Sequence, residues 1–425
     1  MPETGAPRVR RRTWLVAALV VTLLAASSVT WFAVSRAEER EDRLDANREL
    51  VTRGCAGLLR EELYSSAPDD ERGVLDAYGT LLESGQESRA LLDCTLAYVG
   101  DGGASAAEVQ ARVRAEAVPD RTSPGGVTGD FGLPLPPSAT GSTGATDRWG
   151  TGAAASASLL VDCPKGLDGR GRSVRDLLVS VELPSDADDA DEYDVPKAER
   201  IAAARTAAKV ANWVARKQGC GSEPLRTEPG GAAAKAPELC AWLSPKGLGS
   251  TPGKWSYGGN DSVYNRRTGA CGGQWEDTAG SPGHLTVKAA GAQSWSGVLA
   301  GGAYGEYADK SLVPDPRNPG PGTASHDKPV TVEQSGDDPQ LALWARSECM
   351  AGPTYHRVSV TPEFDFDYGL EEGKVVVEPK DQRRLSRKVH TVLDRYLAAP
   401  DGWPRRSQCH HTKIMGEVAE WRGRD

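Results

Sequence analysis

The order of the cysteines constrains this chain more than any other feature, because they form two sets of four with similar spacing. The first set runs from Cys55 to Cys220 and the second from Cys240 to Cys409, so the two spans are nearly equal in length. Such spacing predicts one four-cysteine unit used twice. The cysteines are, in chain order, Cys55, Cys94, Cys163, Cys220, Cys240, Cys271, Cys349 and Cys409.

An even number of cysteines favours a disulfide framework in an oxidising compartment. Zinc binding is the alternative, but the chain has no CxxC motif and no histidine pair at zinc-site spacing. Sequence alone permits many connectivities, and the repeat selects one that stays within each set. The predicted disulfides are Cys55–Cys94, Cys163–Cys220, Cys240–Cys271 and Cys349–Cys409.

Further matches support the repeat. Residues 55–58 and 240–243 share the pattern Cys-Ala-x-Leu, and residues 179–181 and 358–360 both read Val-Ser-Val. Each Val-Ser-Val leads through an acidic loop into a segment with helical spacing of apolar residues. A strand followed by a helix that packs across it, with a disulfide joining the end of the helix to a strand, indicates an α+β unit.

The predicted fold class is therefore α+β, with a single N-terminal transmembrane helix followed by two tandem, diverged, disulfide-stapled α+β units. Helices are expected over residues 196–217 and 379–397, and also between Cys55 and Cys94, where Leu63, Val74, Leu75 and Tyr78 recur. The predicted regions are a basic cytoplasmic flank (1–13), a transmembrane anchor (14–34), a charged juxtamembrane helix (35–54), unit 1 (55–220), a linker (221–239) and unit 2 (240–425).

The predicted anchor carries no charged residue between Trp14 and Val34, which is long enough for a helix to cross a bilayer. Arg8 and three further arginines precede it and favour a cytoplasmic N-terminus, with the remaining chain outside. A cleaved signal peptide is the alternative, although residues 34–37 are a poor cleavage site. The expected location is the cell membrane, as a single-pass protein.

Composition and motifs together suggest a source and exclude one class of partner. A net charge of −9 disfavours nucleic acid, which needs many cationic contacts. The arginine-rich flank with its anchor, Cys-Ala-Gly-Leu-Leu at 55–59, and the Pro/Gly linker before a strand ending at Cys163 resemble uncharacterised membrane-anchored ectodomain proteins of streptomycete-like actinobacteria. This resemblance implies location and architecture, and it supplies no catalytic residue.

The candidate sites each have a plain structural alternative. The acidic loops at 186–194 and 363–372 offer carboxylates to calcium, but the first lacks EF-hand spacing, and a solvated acidic loop is the favoured interpretation. Cys409-His410-His411 suggests a metal, yet a disulfide-bonded cysteine does not ligate and adjacent histidines are expected to point apart. No GxSxG elbow is present, and Ser296 lacks the required leading glycine. We therefore predict no catalytic, metal or cofactor-binding residue.

The aromatic residues of unit 2 raise one specific hypothesis. Exposed rings stack on sugars, whereas buried ones fill the core of a small disulfide-bonded domain. The sequence favours a non-enzymatic binding or interaction module at the cell envelope, with an envelope protein or a cell-wall glycan as partner; a hydrolase without a recognisable motif is the remaining alternative. The rings concerned are Trp242, Trp255, Trp275, Trp295, Trp344, Tyr257, Tyr264, Tyr304 and Tyr307.

Overall fold

The fold is that of a computed structural model, and it is dominated by antiparallel β-sheet. The structure describes residues 31, 34–78, 90–100, 107–118, 126–127, 129–147, 153–167, 174–185, 195–228, 240–243, 255–257, 263–275, 287–311, 326–333, 340–363 and 374–420.

The chain divides into two compact units. The smaller contains residues 1–77 and 94–110, and the larger contains residues 78–93 and 111–425. In the smaller unit, helix α1 covers residues 34–53, in agreement with the predicted charged helix. The side chain of Asn47 on α1 donates to the carbonyl oxygens of Pro68 and Glu71 at 2.9 and 2.8 Å and accepts from the amide of Gly73, which fixes the helix to the following strand.

The first sheet has the strand order β1-β2-β3-β6-β5-β4. In the larger unit, the register pairs β3 with β6, β6 with β5 and β5 with β4. The strands are β1 (Arg72–Tyr78), β2 (Ala90–Val99), β3 (Ala107–Ala117), β4 (Ala139–Asp147), β5 (Ala153–Asp162) and β6 (Asp176–Pro184).

The second sheet has the order β15-β12-β13-β10-β9-β7, with β8 paired to β9, and a third sheet pairs β11 with β14. Its strands are β7 (Trp255–Tyr257), β8 (Val263–Tyr264), β9 (Thr268–Trp275), β10 (Val287–Ser296), β12 (Gln340–Cys349), β13 (Gly352–Pro362) and β15 (His410–Glu420). The third sheet consists of β11 (Val330–Glu333) and β14 (Lys374–Val377).

Five further helices accompany the sheets. They are α2 (Arg60–Leu63), α3 (Lys197–Lys217), α4 (Leu299–Ser311), α5 (Pro379–Ala398) and α6 (Trp403–Arg406). The predictions of α3 and α5 are confirmed. Helix α5 begins with a proline at its first turn, where the missing amide costs no hydrogen bond. Its Leu385, Val389, Val392 and Tyr396 are buried at helical spacing, so the helix packs one apolar face against the second sheet.

Four disulfides are present, and they join the pairs that the repeat predicted. They are Cys55–Cys94, Cys163–Cys220, Cys240–Cys271 and Cys349–Cys409. No cysteine remains free. Cys163–Cys220 connects the end of β5 to the segment after α3. Cys349–Cys409 connects the end of β12 to the segment after α6.

The predicted α+β fold class is wrong, because most of the described structure is β-sheet. The clearest error lies between the first two cysteines, where a helix was expected. Val74, Leu75 and Tyr78 belong to strand β1, and the helix there is the single turn α2. Apolar residues in short runs suit either structure, and pairing with a neighbouring strand decides between them.

The predicted membrane topology is also corrected. In the part of the chain that the structure describes, no helix has the length and apolar character needed to cross a membrane. The predicted anchor at 14–34 falls outside the described residues except for Trp31 and Val34. A single-pass location in the cell membrane is therefore not supported.

Candidate functional site

A polar cavity of about 510 Å³ lies beside strands β4, β5 and β6 of the first sheet. Its most regular feature is a row of hydroxyl groups, because Ser142, Ser158 and Ser180 are paired side by side across the three strands. The next row, one step along, contains Ser156 paired with Glu182. Residues two apart on a strand share a face, so this face is built from small polar side chains.

The same strands are apolar on their other face. Leu159, Val179 and Val181 alternate with the serines and are fully buried. Helix α3 packs across β5 and β6 and covers this face. Alternation therefore places a core on one side of the sheet and leaves hydroxyl groups on the other.

A loop and a helix start complete the cavity. The backbone of Thr143 donates to the carbonyl oxygen of Asp130 at 2.9 Å, which holds the loop against the edge strand β4. A side chain on Gly129 would approach Ser142 to 3.0 Å, so this contact favours a residue without Cβ. Lys197 and Arg200, in the first turn of α3, add two cationic groups to the lining.

Beyond the serine rows, the same face becomes apolar and then ionic. Leu160 and Leu178 pack into a cluster with Trp295 and Trp344 of the second sheet. This cluster joins the two sheets, so one end of the face is sealed while the serine end stays open. This apolar contact thus holds strands β5 and β6, which form the wall of the cavity, in place.

An ion cluster closes the sealed end. Arg267 contacts the carboxylates of both Asp162 and Asp176, and all three side chains are less than one-fifth exposed. Burial raises the pKa of Asp176 to about 6 and lowers the pKa of the Arg267 guanidinium to about 10. Contact with the opposite charge acts against both shifts, and at neutral pH the groups remain charged.

The second sheet has a smaller cavity beside strands β9, β10 and β13. It has a volume of about 270 Å³ and is lined by residues that include Ser359 and Thr361 of β13. Arg357 crosses it and donates to Gln340 and Glu420, each at 3.0 Å. Burial by itself would raise the pKa of Glu420, but the charges of Arg357 and Lys310 outweigh it and hold that pKa below its usual value.

A serine–histidine contact inside the second sheet resembles the arrangement used in nucleophilic catalysis. The Oγ atom of Ser294 lies 2.6 Å from Nδ1 of His356 and 2.8 Å from the hydroxyl of Tyr396. The other ring nitrogen of His356 lies 2.9 Å from Oγ of Ser347. All four side chains are buried, with at most 1 % exposed, so no substrate reaches them. Burial lowers the pKa of His356 to about 3, which keeps the ring neutral.

This network was not found from the sequence, because its members come from β10, β12, β13 and α5. Buried polar groups need partners, and here they satisfy one another. Its proximity to the Cys349–Cys409 bridge brings two sulfur atoms near His356. Both sulfurs are in the disulfide, so they are not thiolate ligands for a metal.

The aromatic residues of unit 2 mostly contribute to the core. Trp295 and Trp344 are 4 % and 0 % exposed and stack with ring centroids 5.9 Å apart. Trp242 and Trp255 are partly buried against the second core. Tyr304 is half exposed and contacts Tyr355. Trp403, which the sequence analysis did not single out, is 1 % exposed. The side chain of Trp275 is outside the described residues. Tyr257, Tyr264 and Tyr307 are partly buried.

The two acidic loops, which offer carboxylates to calcium in the sequence, lie almost entirely outside the described residues. The acidic loop at 186–194 lies outside the described residues, as does the second loop except for Glu363.

Two histidines that are distant in sequence contact one carboxylate. Nε2 of His326 and Nε2 of His390 lie 2.8 and 2.9 Å from the two oxygens of Glu417. Their distant sequence positions gave no indication of this contact.

Comparison with known proteins gives no relative. No protein-family model matches the chain, and no curated protein and no solved structure matches it either.

Proposed function

We propose that this protein is a non-enzymatic binding module of an oxidising, extracytoplasmic compartment, and that it holds a small zwitterionic, peptide-like ligand in the cavity beside β4. The observation that carries the proposal is the cavity itself, which combines a row of hydroxyl groups with charges of both signs. Its volume lies within the range of small-molecule sites, about 300–1,000 Å³.

The compartment follows from the sulfur chemistry. All eight cysteines are oxidised to disulfides. Such bridges persist outside the reducing cytosol and are rare within it. Four of them in one chain support export to an oxidising environment.

A tandem duplication is part of the proposal. The order β2-β3-β6-β5 in the first sheet corresponds to β9-β10-β13-β12 in the second. The cysteines follow the same correspondence, since Cys94 and Cys271 lie on β2 and β9, and Cys163 and Cys349 lie at the ends of β5 and β12. The two cavities share one equivalent strand, β6 and β13, because Ser180 and Ser359 are the central residues of the two Val-Ser-Val segments.

The chemistry of the lining selects the ligand class. Lys197 and Arg200 suit a carboxylate, Asp130 and Glu182 suit an ammonium group, and the serine row offers hydrogen bonds between them. Among the described residues that line the cavity, none is aromatic. Sugars are commonly held against aromatic rings, so the lining favours a peptide over a glycan.

Two observations favour binding over catalysis. The Ser294–His356 pair is sealed in the core. The cavity, in turn, is lined by serines, and the described lining residues include no histidine to form a serine–histidine pair.

The test is calorimetric titration of the full chain with two probes, a synthetic peptidoglycan stem peptide and chitotriose. We expect the peptide to bind and the glycan not to bind. Ser158→Tyr should fill the cavity and Arg200→Ala should remove a carboxylate partner, and each should weaken binding at least about tenfold, or about 1.4 kcal/mol.

Arg216→Ala, at the other end of α3, is the matched control and should bind as the wild type does. Binding of chitotriose alone would reassign the cavity to glycans. Absence of binding by both probes, or full binding by Ser158→Tyr, would contradict the proposal.

A further inference from the structure

His410 and His411, at the start of β15, have their Nδ1 atoms 3.0 Å apart. Both side chains are exposed, and the ring centroids are 4.6 Å apart with nearly perpendicular planes. The sequence led us to expect that adjacent histidines point apart, and this expectation is wrong for this pair.

The backbone explains the difference. On a regular strand, successive side chains point to opposite faces. His411, however, has a φ of 54°, and Gln408 just before the pair has a φ of 53°. Left-handed backbone at a residue other than glycine is uncommon and breaks the alternation. The two imidazoles are thereby brought to one place.

This backbone is anchored on both sides of the pair. Cys409 is bonded to Cys349 on the neighbouring strand. Thr412 lies 2.7 Å, hydroxyl to hydroxyl, from the buried Ser347. Because these contacts fix the chain immediately before and after the histidines, the pair is preorganised.

We propose that His410 and His411 form a two-nitrogen binding site for a late first-row transition-metal ion, with Cu²⁺ as the best match. Imidazole nitrogen binds such ions at about 2.0–2.1 Å. Two nitrogens in neighbouring square-planar positions then lie about 2.8–3.0 Å apart, and tetrahedral positions lie about 3.3–3.4 Å apart. The observed 3.0 Å agrees with the square-planar arrangement that Cu²⁺ prefers.

Glu348 is the proposed third ligand, reached by rotation of its side chain away from Arg346. It is the cross-strand partner of His410 in the pairing of β12 with β15. Directly opposed residues share a face of the sheet and lie within side-chain reach. Its carboxylate contacts Arg346 at 2.9 Å, and this pair is about half exposed. Exposed ion pairs contribute little, so the carboxylate moves to a bound cation at low cost.

The His326–Glu417–His390 cluster is the competing metal site. There the two Nε2 atoms already contact the carboxylate, which also accepts a hydrogen bond from Ser386 at 2.6 Å. A metal ion would have to replace all three contacts. We therefore assign the ion to the exposed pair and use the His326–Glu417–His390 cluster as an internal control.

The experiment titrates Cu²⁺ alone into the full chain and follows calorimetry and electron paramagnetic resonance. We expect one equivalent to bind with the spectral signature of two imidazole nitrogens, and Zn²⁺ to bind more weakly. His410→Ala and His411→Ala should each weaken binding at least about tenfold, and Glu348→Gln should have a smaller effect. Because these side chains are exposed, melting temperatures should not change.

His390→Ala is the matched control and should keep wild-type affinity for Cu²⁺. Loss of binding in His390→Ala with retention in His410→Ala would move the site to Glu417 and overturn the proposal. Wild-type affinity in both His410→Ala and His411→Ala, or no Cu²⁺ binding at all, would overturn it as well. The proposal is independent of the peptide-binding cavity, because Arg200→Ala should leave Cu²⁺ binding unchanged.

Discussion

The two large sheets have corresponding strand orders, yet they use one equivalent face in different ways. In the first sheet this face ends in serines around an open cavity of about 510 Å³. In the second sheet, Trp344 lies on the corresponding strand and face, and it is completely buried, whereas the register equivalent of Ser158 is Ala342, which pairs with Ser359 as Ser158 pairs with Ser180. Helix α4 packs beside it with Leu299 and Ala303.

The difference shows how one topology yields either a core or a binding surface. The second sheet gained an additional helix after β10, and its large rings are buried against that helix. The first sheet has no helix among the described residues between β3 and β4, and small side chains there leave volume unfilled. Side-chain size on this face therefore decides whether it is filled or left open.

The largest expected effect is at Trp344. Trp344→Ala should lower the free energy of unfolding by up to about 5 kcal/mol, because it empties a buried site between the sheets. Ser158→Ala, on the corresponding strand and face, should change it by less than about 0.5 kcal/mol. Urea unfolding of both variants measures the contrast, and equal losses would show that the two faces are packed alike.

The matched disulfides should have nearly equal effects. Replacing both cysteines of Cys163–Cys220 or of Cys349–Cys409 by alanine should cost about 4 kcal/mol in the chain-entropy estimate, because the closed loops have sequence separations of 57 and 60. Denaturant unfolding under oxidising conditions tests this. A markedly larger loss in one sheet would indicate that its bridge also supports local packing.

The ion cluster between the sheets should come next. Arg267→Gln should cost about 3 kcal/mol, because Asp176 remains buried without a cation and Asp162 keeps only the half-exposed Arg266 at 3.5 Å. Adding Asp162→Asn and Asp176→Asn to this variant should recover most of the loss. If the triple variant is no more stable than Arg267→Gln, the charges are not the source of the effect.

The last effect separates the sheets by pH, and it is zero at neutral pH. The folded-state pKa of His356 is about 3, whereas an unfolded histidine titrates near about 6.5. Between these values the unfolded chain binds the additional proton, so stability is complete above about pH 6.5 and falls by about 1.4 kcal/mol per pH unit as the pH decreases toward 3. The first sheet has Leu177 at the equivalent place, by the Val-Ser-Val alignment.

His356→Leu, which copies the first sheet, should remove this slope. The comparison of wild type and variant by unfolding at pH 4, 5, 6 and 7 isolates the contribution of His356 from that of the other histidines. An unchanged slope in the variant would mean that His356 is not the group responsible.

Local sequence patterns predicted part of the fold well. Apolar spacing identified α3 and α5, and their terminal signals placed the ends within one residue of the observed ones. The repeat of the cysteines identified all four bridges. Where spacing was ambiguous, as at Val74 and Leu75, the sequence pointed to a helix and the chain forms a strand.

The candidate sites were less predictable because they depend on residues that are distant in the chain. Ser142, Ser158 and Ser180 look like ordinary polar positions until the strand register aligns them. The Ser294–His356 contact likewise joins two strands. At His410 and His411 the residue types were visible, but the left-handed backbone that brings the rings together was not.

The sequence by itself determined the sulfur pairing, the two longest helices of the larger unit and the twofold spacing, because these depend on order along the chain. The tertiary structure decided which face of each sheet is filled and which stays open. That outcome depends on strand register and on the volume of side chains brought together from distant segments, and neither is encoded in local spacing.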